Sequence, residues 1–189
     1  MENNSGLADS GARTTFETGA QPEITEDKGR CDLLPLDVVG LYYDDYPING
    51  VRVRTIFESI EEYRLSGGVH HIYNAIFNFI KMTYDSEQET AILELAKHYE
   101  AGAKKYSERN WQNGLPIHSF VDSGVRHYLK WLRDDKDEPH DRAFLWNMFG
   151  LLWTAKNHPE LDDYTIKNRD IKNYSEACME FAKRGEGGE

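Results

Sequence analysis

Glu138 and Asp141 stand three residues apart, with His140 between them and Asn147 two helical turns beyond His140. On a helix, the i, i+3 spacing puts two carboxylates on one face. A hard cation needs such an arrangement, since Mg²⁺ takes oxygen ligands, often one or two carboxylates completed by phosphate oxygens and water. The competing reading is that acids are favoured in any first helical turn by the macrodipole. Upstream, Asp122 and Arg126 share a helix face at i, i+4, with His127 beside them; an ion pair and a structural histidine would explain all three. Imidazole titrates near neutrality, which makes His127 and His140 the general-base candidates. Glu100 and Lys104 form another i, i+4 pair, read either as a surface pair or as a further ligand and a phosphate contact.

Three more groups fit a nucleotide. Arg109, Asn110 and Trp111 put a guanidinium beside an indole, suited to phosphate and to stacking on a base, or to anchoring a loop by its Trp. Lys28, Gly29 and Arg30 combine two cations with flexible backbone, a phosphate grip without the spacing of a Walker loop. Asn147 sits among Leu145, Phe149, Leu151 and Leu152, so its amide needs a partner, either a base edge or a backbone group.

The elements that must position these residues read as helices. Residues 1–30 are polar and glycine-dotted, an irregular N-terminal segment. "CDLLPLDVVGL" is an entry segment and short helix with Asp32 as a cap candidate. Residues 51–66 form a helix closed by Gly67-Gly68, and Ile72, Ile76, Phe79 and Ile80 mark the next. Residues 86–106 are amphipathic, with Ile92, Leu95, Ala96, Tyr99 and Ala103 along one stripe, Ser86 as cap and Glu89 completing a capping box. Val121, Val125, Tyr128, Leu129 and Leu132 line the inner face of the helix that carries His127. Pro139 is tolerated at the start of the helix after it. "NRDIKNYSEACMEFAKR" is read as a terminal helix. No strand pair appears, so the expected fold is all-α, a bundle of four or more helices. One domain spans 31–189, with 41–88 a helical insertion.

Composition narrows the function classes. The chain has 189 residues and a formal net charge of −11, with 22 basic against 33 acidic side chains. That balance argues against a duplex nucleic-acid binder, while a nucleotide accompanied by a divalent cation remains compatible with it. No apolar run suits a membrane span, and the first residues lack the apolar core of a secretory signal. The two cysteines, Cys31 and Cys178, lie in no metal-binding spacing. A cytoplasmic setting is the expectation.

"RTTFETGAQPEITEDKGRCDLLPLDVV", "LAKHYEAGAKKYSERNWQNGLPIHSFVDSGVRHYLKWLR" and "DEPHDRAFLWNMFGLLWT" resemble the dATP/dGTP diphosphohydrolase N-terminal domain of phage and bacterial proteins. This family is similar in outline to the all-α, MazG-like NTP pyrophosphohydrolases. The resemblance runs from Arg13 to Pro159, interrupted by residues 41–88. It implies cleavage of a purine deoxynucleoside triphosphate between its α and β phosphates, with Mg²⁺ on helix-borne carboxylates in a homo-oligomer, inside a host cytoplasm if phage-encoded. Carried over by position, Glu100 matches the acid of the "EAGAKKY" helix. Asp122, Arg126 and His127 match "DSxxRH", while Glu138, His140, Asp141 and Asn147 match the acidic turn and "WN" helix. The implied ligands are Glu100, Asp122, Glu138 and Asp141, with Arg30, Lys104, Arg109 and Arg126 on phosphate and Trp111 and Asn147 on the base. One departure stands out: the glutamate pair usual in the wider group reads Glu100-x-x-Ala103 here, so the ligand set must differ. Two rivals to the hydrolase are a protein that sequesters a nucleotide without turnover and a purely structural helical protein.

Overall fold

The computed structural model describes residues 29–43 and 49–166. Lys28, most of the irregular N-terminal segment, Cys178 and the expected terminal helix lie outside the described residues. Within them are six α-helices and no strand: α1 (Leu36–Tyr42), α2 (Gly50–Ser66), α3 (Val69–Thr83), α4 (Gln88–Lys105), α5 (Ile117–Leu132) and α6 (His140–Asn157). The all-α expectation is met. Short 3₁₀ turns at Cys31–Leu33, Asn110–Asn113 and Pro159–Leu161 link or follow them.

α6 is the central element, packed against α3, α4 and α5, while α2 lies against α1 and α3. Phe79 of α3 sits between Phe144 of α6 and Tyr128 of α5, with ring centroids 4.4 and 5.8 Å away. Tyr128 in turn meets Phe57 of α2 at 5.1 Å. All four rings are fully buried, and each carries a large apolar area out of water. The α2–α3 hairpin, read from sequence as an insertion, therefore contributes to the same core as α5 and α6.

Local chemistry sets the boundaries. Gly67 ends α2 in the left-handed region (φ +69°), and its amide donates to the Tyr63 carbonyl, the usual way to satisfy a terminal carbonyl. Three capping expectations are corrected. Asp32 caps nothing; its carboxylate accepts two bonds from the Arg30 guanidinium. Ser86 and Glu89 form no capping box, because Ser86 lies at φ +75° and Glu87 precedes the helix. On α4 the buried stripe is Ala91 and Leu95, whereas Ile92 is 46% exposed. α4 touches the body mainly through α6, so a narrow stripe suffices. Leu129 and Leu132 are only partly buried.

α5 and α6 cross closely because small residues stand at their contact. A β-carbon at Gly124 would fall 2.6 Å from Met148 Cε and 3.3 Å from Asn147 Cβ; one at Gly150 would fall 2.5 Å from the Phe120 ring. The Phe120 ring is 1% exposed and has little room to yield. Gly150→Ala is therefore expected to destabilise by about 1–2 kcal/mol, overpacking outweighing the helix preference of alanine. Denaturant midpoints compared at equal m-value check this; a stabilised variant would contradict the close crossing.

Candidate functional site

The turn between α5 and α6 folds back on α5. Asp134 takes the left-handed region (φ +63°) just past the helix end. Its amide donates to the Trp131 carbonyl, and the Asp135 amide donates to the Lys130 carbonyl. This pair of bonds is a Schellman cap, with aspartate where glycine is commoner. The reversal brings Asp137 and Glu138 alongside the last turns of α5.

There the side chains converge. His127 Nδ1 and His140 Nδ1 face each other at 3.0 Å. Glu138 Oε1 lies 3.5 Å from the first and 3.7 Å from the second. These side chains are 8%, 1% and 11% exposed for His127, His140 and Glu138, so water screens the cluster poorly. The opposite nitrogen of His140, Nε2, donates to Asp137 Oδ1 at 2.8 Å, and Lys130 Nζ donates to Asp137 Oδ2 at 2.8 Å. Lys130 first, then His140, hold the Asp137 carboxyl well below the usual carboxylate range. Burial, then His140 and nearby cations, push His127 down to about 3. Burial, chiefly, also pushes His98 of α4 down to about 4. The arrangement is thus two imidazoles and one carboxylate, with His127 neutral at physiological pH and His140 oriented through its outer nitrogen.

The other candidates are placed elsewhere. Asp122 accepts from the Cys31 amide at 2.5 Å and from Arg126 at 2.6 Å, and Arg126 also donates to the Gly29 carbonyl at 2.8 Å. This part-buried pair holds the entry segment onto α5. Arg30 is engaged by Asp32. Asp141 accepts from the Tyr84 hydroxyl at 2.6 Å, tying α6 to the end of α3. Glu100 and Lys104 pair at 2.5 Å on the exposed side of α4. Arg109 is exposed at φ +61°, and Asn110 opens the 3₁₀ turn after it. Trp111 packs between Tyr99 and Trp153, centroids 5.4 and 5.0 Å away. The Asn147 amide, 3% exposed, donates to the Ala143 carbonyl on its own helix.

Glu138 and Asp141 do not share a helical face, because α6 begins at His140 and Glu138 belongs to the turn before it. Among the described residues, the only one of the four carboxylates in a cluster with metal-ligand spacing is Glu138, in the company of His127 and His140. Sequence reasoning left Asp137 and Lys130 out of the site. The available signal was paired i, i+3 spacing: Lys130 follows His127 on α5, and Asp137 precedes His140 into α6.

Residues 80–164 match the model of the family described as dATP/dGTP diphosphohydrolase, N-terminal. The match takes in the end of α3 and all of α4, α5 and α6, and so the entire cluster. No curated protein and no solved structure matches the chain. No helix among the described residues is long and apolar enough to cross a membrane.

A histidine whose pKa is depressed by folding binds protons more readily in the unfolded chain. Its burial therefore favours the fold above about pH 6.5, and that contribution is lost as pH falls through the range toward its folded value. With His127 near 3 and His98 near 4, the denaturant midpoint of the metal-free protein is expected to hold between pH 8 and 7 and fall steadily below about 6.5. A midpoint that rises on acidification to pH 5 would contradict the buried, neutral imidazole at His127.

Proposed function

We propose that this chain, which carries the dATP/dGTP diphosphohydrolase N-terminal domain over residues 80–164, hydrolyses purine deoxynucleoside triphosphates to the monophosphate and pyrophosphate. The observation that carries the reading is the position of the His127–Glu138–His140 cluster inside the matched segment. In the proposed reaction a water oxygen bonds to the α-phosphorus, and the bond from that phosphorus to the α–β bridging oxygen breaks. Pyrophosphate leaves with the bond's electron pair, and the water surrenders its proton at the cluster. The cluster acts as a unit, since each of its members lies within 3.7 Å of the other two. Asp137 and Lys130 fix the orientation of His140.

The four-carboxylate set expected for Mg²⁺ is not gathered among the described residues, and the donors that are gathered include two nitrogens. This does not fit a resident Mg²⁺, which prefers oxygen ligands. Mg²⁺ belongs to the proposal as the counter-ion that accompanies the triphosphate. Lys104 and Arg109, both exposed, are the cations available to meet phosphate without first leaving a buried partner. A homo-oligomer is part of the same proposal, and light scattering on the full chain tests it: a stable, active monomer at micromolar concentration rejects it.

The incomplete glutamate pair, Glu100-x-x-Ala103, favours a second reading in which the nucleotide is bound and retained intact. A panel of deoxynucleoside and ribonucleoside triphosphates with Mg²⁺, products separated by charge, decides between them. Pyrophosphate released from dATP or dGTP supports the hydrolase. Retention of intact nucleotide supports the binder, and neither binding nor turnover overturns both. In the hydrolase, Glu138→Gln is expected to lower kcat by about 10²-fold or more with far-UV circular dichroism unchanged.

A further inference from the structure

We propose that His127, Glu138 and His140 form a binding site for a divalent transition metal of the Zn²⁺ or Co²⁺ class, with Asp137 as the outer carboxylate that orients His140. The inference goes beyond the nucleotide reading and does not depend on it, because it stands on donor type and geometry alone.

The three donor atoms are His127 Nδ1, His140 Nδ1 and Glu138 Oε1, separated by 3.0, 3.5 and 3.7 Å. A circle through them has a radius of about 2.0 Å, close to the roughly 2.0–2.2 Å at which zinc bonds imidazole nitrogen and carboxylate oxygen. An ion placed just off that plane reaches all three atoms with little movement of the side chains. Imidazole suits Zn²⁺ and its first-row neighbours, whereas Mg²⁺ and Ca²⁺ favour all-oxygen sets.

The second observation lies on the far side of His140. A ligating histidine characteristically donates its other ring N–H to a carboxylate, which fixes the tautomer and raises the basicity of the ligating nitrogen. His140 does this at Nε2 through Asp137, at 2.8 Å. Asp137 is itself held by Lys130 at 2.8 Å. With the proton on Nε2, the Nδ1 of His140 presents a lone pair toward His127.

A second group of possible donors, Asp135, Asp137 and His140, shares the same histidine. Its carboxylates already face cations, Asp135 with Arg133 at 2.8 Å and Asp137 with Lys130. These cations oppose a metal on the Nε2 side. The competing account is a plain N–H···N hydrogen bond between the two imidazoles, with no affinity for metal.

The test uses the full chain, stripped with a chelator and free of nucleotide, titrated with Co²⁺, Zn²⁺ and Mg²⁺. The expected result is one equivalent of Co²⁺ with visible ligand-field bands, displaced by Zn²⁺ at micromolar concentration and not by millimolar Mg²⁺. Glu138→Gln and His127→Ala should abolish stoichiometric binding, and Asp137→Asn should weaken it about 10–100-fold. His118→Ala, on a histidine that pairs with Asp163 away from the cluster, should change nothing. If a variant loses its circular dichroism, wild-type ¹⁵N-histidine spectra stand in its place. Zn²⁺ must then shift Nδ1 of both His127 and His140. No Co²⁺ or Zn²⁺ binding by the wild-type chain, binding unaltered in folded Glu138→Gln, Mg²⁺ competing on equal terms, or shifts confined to other histidines would each overturn the proposal. Because no nucleotide is present, a failed substrate panel leaves this result standing, and the reverse holds too.

Discussion

The close approach of α5 and α6 is the constraint on which the rest of the site depends. Gly124 and Gly150 let the two helix surfaces meet without a β-carbon between them and Met148 or the Phe120 ring. The Schellman cap at Asp134 then turns the chain so that α6 starts beside the last turns of α5. Only with both in place do two imidazoles thirteen positions apart in sequence meet at 3.0 Å. The buried rings of Phe79, Tyr128 and Phe144 pack α3, α5 and α6 together beside that approach. An error of one helical turn in either element would put His127 and His140 more than 5 Å from register.

Inside this frame the polar groups divide by task. Buried Asp122 and part-buried Arg126 fasten the entry segment to α5, and Asp141 fastens α6 to Tyr84. These bonds link distant parts of the chain and use the capacity that the sequence offered to ligand binding. Glu138 faces inward instead, toward two imidazoles, because it precedes the helix rather than riding on it. Low exposure then shapes the chemistry. An imidazole buried beside another imidazole and two cations stays neutral, with a lone pair available to a proton or a metal. Asp137 outside the cluster stays ionised and directs His140 inward.

Helical periodicity made α2, α3, α5 and α6 legible in the sequence, together with core positions such as Ile72, Phe79, Val121 and Val125. Gly67 was legible as a stop because only a left-handed residue closes α2 there. The matched family segment was legible from the motifs around His127, Glu138 and His140. Their grouping was not. A spacing argument places Glu138 with Asp141 only if both are helical, and Pro139 moves the start of α6 to His140. Nor does spacing reveal that Asp122 would find the Cys31 amide 91 positions away, or that Trp111 would pack against Tyr99 and Trp153. Such pairings are decided by tertiary contact, which a helical wheel does not contain. The role of Asp137 follows from the turn that returns it to His140, a geometry set by one left-handed aspartate.

The central claim is that Asp137 holds His140 with its proton on Nε2, so that Nδ1 turns an open lone pair toward His127. The tautomer of His140 in the metal-free protein tests this most directly, read from two-bond ¹H–¹⁵N correlations of the imidazole ring at pH 7. The account predicts the proton on Nε2 and a non-protonated Nδ1. A proton on Nδ1 would contradict it.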